Sequence, residues 1–212
     1  MSSALVQSAE RISWEQFLEL PDLPGGLHAV ALIDGEVVWL GSPSGWHEHI
    51  VHKVVNAVDA WAGPGLLNGR AVTRPAVQIP GAERIRGTRN EEAPQAMTAR
   101  PQGYEADAGW FPPAQVRLDA TGALEFVGRP AIVVEVWSPS NWAKEIERKV
   151  EDYALAGVAE LWAISPTSRA VTRYADIVDG AYASIIDLSG DDVLTTPLLD
   201  GFAIPVSSLF VV

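Results

Sequence analysis

The 212-residue sequence has no cysteine. That excludes a disulfide framework, a thiolate metal site and a thiol nucleophile. Lysine is scarce: Lys53, Lys144 and Lys149 are the whole set, so a lysine inside a structured motif is hard to dismiss as surface decoration. Positive charge is in deficit overall, with 15 Lys and Arg against 27 Asp and Glu and a formal net charge of -12. Such a surface repels phosphate backbones and argues against an avid, non-specific nucleic-acid binder. A nuclease is still compatible, because metal ions offset active-site carboxylates and a local basic patch can outvote the net charge. No stretch approaches the roughly 18 consecutive apolar residues of a membrane span. No basic region followed by an apolar run opens the sequence, so no signal peptide is expected and a cytoplasmic location follows by default. Gly-x-Gly-x-x-Gly, P-loop and Gly-x-Ser-x-Gly motifs are all missing, which argues against a dinucleotide site, a P-loop NTPase and a serine hydrolase.

What is present suits a globular domain. Hydrophobic residues make up 48% and charged residues 20%, enough for a real core. The expectation is a single domain over residues 1–212, with an irregular insertion at about 80–103 that carries Arg84, Arg86, Arg89 and Arg100. Ser13-Trp-Glu-Gln16 reads as a capping box opening a short helix. Residues 29–33 and 36–40 read as a hairpin around Asp34-Gly35. Residues 44–62 carry helical apolar spacing. Residues 70–79 read as a strand or strand pair, 105–111 as a strand, and 115–127 as a strand or a hairpin around Thr121-Gly122. Residues 131–137 form a near-continuous apolar run, the mark of a central strand buried on both faces. A helix follows to about Ala156, ended by Gly157, then strands at 159–164, 170–174 and 182–187. This order predicts an α/β (α+β) fold with a mixed central sheet flanked by helices.

Three residues stand out. Glu135 sits in the middle of the apolar run Ala131–Trp137, where an ionised carboxylate without a partner costs several kcal/mol. It needs a metal, a Lys or Arg, or a water-filled cleft; an exposed sheet face is the plainer alternative. Asp107 lies inside an expected strand, where Asp is disfavoured, and period-2 geometry puts Glu105, Asp107 and Gly109 on one face. It could equally be a turn residue at a strand end. Trp142, Ile146, Lys149, Tyr153 and Ala156 form one stripe of the helix, the stripe that would face the sheet. Lys149 is the one charge on it. Either its stem packs while its ammonium reaches water, or the ammonium points at the carboxylates, with Glu145 one turn earlier as an i, i+4 partner.

The blocks Leu32-Ile-Asp-Gly-Glu36, Ser42-Pro-Ser with His47 and His49, Tyr104-Glu-Ala-Asp107, Val133-Val-Glu135-Val-Trp-Ser-Pro-Ser140, Lys149-Val-Glu-Asp-Tyr153-Ala-Leu-Ala-Gly157-Val-Ala-Glu160-Leu-Trp162 and Leu198-Leu-Asp-Gly-Phe202 together resemble the Uma-two family of bacterial restriction endonucleases. The resemblance runs from about residue 12 to residue 209. It implies a restriction-endonuclease-like PD-(D/E)xK core in which Asp107 and Glu135 ligate Mg²⁺ or Mn²⁺, Lys149 is the lysine moved from strand to helix, and Glu36 stands at the rim of the site. Two positions depart from the family pattern. Ala106 replaces the Pro of Pro-Asp, and Ala31 stands where relatives carry a Glu three residues before Asp-Gly.

The resulting expectation is a metal-dependent endonuclease acting on DNA, with Asp107, Glu135, Lys149 and Glu36 as catalytic residues. Asp107, Glu135 and the Val136 carbonyl would be the metal ligands, and His47, His49, Arg84, Arg86 and Arg89 would contact substrate. The alternative is an oligomeric binding or regulatory protein whose chemistry has decayed. His49 and His52 share a helix face and could hold a metal with a distant carboxylate, although the spacing does not match His-Glu-x-x-His. The eight Trp point to a homodimer rather than to base-stacking platforms.

Overall fold

The computed structural model describes residues 11–20, 30–33, 35–39, 44–79, 103–137 and 143–211. Helix α1 (Trp14–Leu18) opens on the expected capping box: Ser13 Oγ accepts from the Gln16 amide at 3.2 Å, and Gln16 Oε1 accepts from the Ser13 amide at 2.8 Å. Strands β1 (Val30–Ile33) and β2 (Glu36–Trp39) form the expected hairpin, with Gly35 at φ +81°. Helix α2 (Gly45–Ala62) buries Ile50, Val51, Val54, Val58 and Ala62 along one stripe. Strands β3 (Arg70–Thr73), β4 (Ala76–Gln78), β5 (Gly103–Glu105) and β6 (Ala108–Phe111) are followed by the small hairpin β7 (Val116–Leu118) and β8 (Leu124–Phe126). Next come β9 (Ile132–Val136), α3 (Ala143–Ala156), β10 (Glu160–Ser165), β11 (Ala170–Val178) and β12 (Ala181–Ser189). The pair β13 (Val193–Leu194) and β14 (Ile204–Pro205) leads into a 3-10 turn at Val206–Phe210. The basic segment with Arg84, Arg86, Arg89 and Arg100 lies outside the described residues.

The larger strands make two sheets, one of four strands in the order β2-β1-β5-β4 and one of six in the order β12-β11-β10-β9-β6-β3. Strands β9 and β10 are parallel and the other neighbours antiparallel, so the six-stranded sheet is mixed. A parallel pair needs a crossover, and α3 supplies it. Helix α2 covers one face of this sheet over Ile132, Val134, Val136, Trp162 and Ile164. On the other face Tyr153, Ala154 and Ala156 of α3 pack with Val133 and Leu161.

One expectation needs correction. Residues 105–111 are not one strand: β5 and β6 belong to different sheets, and the chain breaks between them at Ala106 and Asp107. The opposite arm breaks at the same level, between β3 and β4. The Arg74 amide donates to the Asp107 carbonyl and the Ala106 amide to the Pro75 carbonyl, both at 3.0 Å. Arg74 turns the corner at φ +55°, and Pro75 has no amide to offer a ladder. Both arms of one hairpin therefore cross from sheet to sheet together, and Asp107 is a corner residue rather than a member of a period-2 face.

Candidate active site

Glu135 lies on the central strand β9, 3% exposed. Its Oε2 accepts from Lys149 Nζ at 2.8 Å and its Oε1 from the Tyr153 hydroxyl at 2.5 Å. Lys149 and Tyr153 are four residues apart on α3, so one helix face delivers both donors. Lys149 is 7% exposed and Tyr153 fully buried, so the snorkelling alternative does not describe this lysine. Of the same stripe, Ala156 is buried and Ile146 half-buried, while Trp142 lies outside the described residues.

Asp107 reaches this cluster from the strand corner. Strand β6 pairs with β9 at Ala108 and Val134, so the next step along the register sets Asp107 beside Glu135. Its Oδ2 accepts from the Val136 amide at 2.7 Å and lies 3.1 Å from His47 Nε2. His47 comes from the first turn of α2, where its own amide donates to the N-cap hydroxyl of Ser44 at 3.2 Å. Its Nδ1 is buried without a hydrogen-bond partner; Glu48 Oε1, at 3.8 Å, gives charge proximity but is too far for a hydrogen bond.

The electrostatics follow from two carboxylates in a desolvated place. Burial pushes the Glu135 pKa up; Lys149 opposes this, Asp107 reinforces it, and the net shift is upward. For Lys149, burial alone would lower the pKa, but Glu135 and Asp107, with help from Glu145, outweigh it and raise it. Burial would likewise lower His47, and Asp107, Glu48 and Glu135 turn the balance upward. All three groups hold protons more tightly than usual, Glu135 chiefly because it is buried, Lys149 and His47 because the carboxylates around them outweigh burial. A hard divalent cation suits that donor set, since Mg²⁺ is commonly held by one or two carboxylates plus waters and substrate. Among the described residues no cluster of three His, Cys, Asp or Glu side chains is arranged to hold a metal. A cation here would therefore rest on Asp107, Glu135 and backbone or water oxygens.

The other candidates go elsewhere. Glu36 pairs with Ile33 at the turn end of β1, whereas β5 runs from that end toward Asp107. Its carboxylate lies 3.9 Å from Arg11 and is 44% exposed. His49 Nε2 is 3.0 Å from the Val211 carbonyl, and its ring stacks on Trp46, so it faces the C-terminal segment. Ala31 is fully buried opposite Tyr104. Read from sequence, Tyr153 has no role beyond the helix stripe and Tyr104 has none; the Tyr104 ring lies under the Lys149 ammonium. The stripe held the signal for Tyr153, one turn past Lys149.

The family model described as "Putative restriction endonuclease", Uma2, matches residues 14–207. Among solved structures, a crystal structure of a putative nuclease belonging to DUF820 from Anabaena variabilis ATCC 29413 superposes with a TM-score of 0.67 at 16% identity, covering 94% of this chain and 97% of that one. At that identity the likeness speaks for the fold. No curated protein matches the chain. No helix among the described residues is long and apolar enough to cross a membrane.

Proposed function

The chain belongs to the Uma2 family, and from that premise we propose that it is a divalent-metal-dependent nuclease that hydrolyses phosphodiester bonds in DNA. The observation that carries this reading is the convergence of Asp107, Glu135 and Lys149 from a strand corner, a central strand and a crossover helix: Glu135 and Lys149 form a buried pair, and the half-buried Asp107 is tied to the next residue of the same strand through the Val136 amide.

Asp107 and Glu135, with the Val136 carbonyl, would hold Mg²⁺ or Mn²⁺. Such a cation would supply Lewis acidity and would make a water more acidic. Lys149, kept protonated by its carboxylate neighbours, donates to the attacking water or to a phosphate oxygen and offsets charge as it develops. Tyr153 fixes the Glu135 carboxylate through Oε1. His47 and the Val136 amide fix Asp107 through Oδ2. Arg84, Arg86 and Arg89 supply guanidinium groups for phosphate contact, a role that positions a duplex without reading its sequence.

The decisive variant is Lys149→Ala. Mg²⁺- or Mn²⁺-dependent nicking of plasmid DNA should fall by about 10²–10³-fold while the circular-dichroism spectrum is retained. Unchanged cleavage would remove Lys149 from the mechanism. Ala31 favours a second reading, because the acidic group that the family resemblance implies at this position is replaced by a buried methyl opposite Tyr104. That reading is a binding protein that keeps the fold and no longer cleaves. Calorimetry separates the two: a protein that takes up no Mn²⁺, even with DNA present, is the binding protein.

A further inference from the structure

Lys149 has two supports of different kinds. Its Nζ donates to Glu135 Oε2 at 2.8 Å and lies 5.4 Å from the centroid of the Tyr104 ring, inside the ~6 Å reach of a cation–π contact. That ring is held firmly. The Tyr104 hydroxyl donates to Asp152 Oδ2 at 2.5 Å, and Arg148 lies 3.5 Å from the same carboxylate oxygen. The ring meets Tyr153 edge-on at 5.7 Å, and its backbone sits in the interior of the four-stranded sheet, opposite Ala31 and Val77. Tyr104 is 3% exposed, so the ammonium meets a desolvated π face, where such contacts are strongest. The two supports respond differently to a metal. A divalent cation competes for a carboxylate but does not compete well for an aromatic face against an ammonium already seated there.

We infer that Tyr104 is a positioning residue for Lys149: its ring keeps the ammonium in the site when a divalent cation engages the oxygens of Glu135. The inference rests on the nuclease reading of the same site, and it separates the ring face from the hydroxyl. Tyr104→Phe keeps the face and loses the bond to Asp152, whereas Tyr104→Leu loses the face.

Two readouts test it. In cleavage, Tyr104→Leu should lower kcat about tenfold with KM and calorimetric Mg²⁺ affinity unchanged, and Tyr104→Phe should stay close to wild type. In proton NMR with labelled lysine, the chain has only three lysines to assign. The Lys149 ε-methylene should be ring-current-shifted upfield in wild type and in Tyr104→Phe. The shift should persist at saturating Mg²⁺ and be lost in Tyr104→Leu. Equal damage from Phe and Leu, a Leu variant with wild-type kcat, or an upfield shift that is absent or vanishes with Mg²⁺ would overturn the role. A wild type that binds no Mg²⁺ would refute the nuclease reading instead, and the metal-free shifts would then decide the ring support on their own.

Discussion

Two glutamates are buried in the heart of the six-stranded sheet, and their partners distinguish them. Glu160, 2% exposed, receives Trp162 Nε1 at 2.9 Å, Arg173 Nε at 2.9 Å and the Thr196 hydroxyl at 2.7 Å. Its negative charge is met directly by the Arg173 guanidinium, on which Asp176 acts as well. Glu135 has one ammonium and one phenol, and Asp107 beside it leaves negative charge in excess. The first arrangement is closed and structural; the second, on the proposed nuclease reading, is the one that would take a further cation. Glu160→Ala should therefore cost about 3–5 kcal/mol, because it strands Arg173 and a buried indole N–H. Urea denaturation measures this, and a loss below about 1 kcal/mol would contradict the closed-hub account. The sequence made Glu135 conspicuous because a carboxylate interrupts an apolar strand. Glu160 opens an equally apolar strand and drew no such attention, since its cation, Arg173, lies on the neighbouring strand and the pairing is a tertiary fact.

At the scale of elements, the helix stripe was legible and the strand corner was not. Periodicity alone aimed Lys149 and Tyr153 at the sheet, because one face of a helix has one destination. Period-2 alternation could not show that residues 105–111 divide between two sheets, since the cause lies on the partner arm at Arg74 and Pro75. Glycine is required just past that corner. A Cβ on Gly109 would lie 2.8 Å from Pro130 Cβ, 3.0 Å from Pro75 Cγ and 3.1 Å from the Ile132 carbonyl, and none of these neighbours is a flexible side-chain end. Gly109→Ala should destabilise by about 1–3 kcal/mol. On the proposed nuclease reading it should also weaken cleavage by shifting Asp107, two residues away. Gly45 is the control: an added Cβ there meets nothing within 4 Å, and it lies in the first turn of α2. Gly45→Ala should leave stability unchanged or raise it by up to about 1 kcal/mol. Thermal melts of the two variants, read together, check the pair, and equal effects at both sites would refute the packing argument.

For the molecule as a whole, the alkaline limit of stability follows from its tyrosines. The chain has four. Burial raises the pKa of Tyr153 well above the ordinary phenol value, reinforced by the adjacent Glu135 carboxylate. Burial also raises Tyr174, with Asp187 adding to it, and Tyr182, with Glu160 adding to it. Unfolded phenols ionise near pH ~10. A group whose folded pKa lies above its unfolded value contributes stability that is complete below the unfolded pKa and is lost as pH rises toward the folded one. The three phenols therefore leave stability untouched through neutral pH and remove it together above about pH 10. The net charge of -12 works in the same direction, since self-repulsion grows as each phenolate adds to it. Phenolate absorbance and circular dichroism followed together against pH test this. Ionisation of Tyr153, Tyr174 and Tyr182 should appear in step with unfolding. If Tyr153→Phe left the alkaline midpoint where it stands in the wild type, the buried phenol on Glu135 would not be part of what limits the fold.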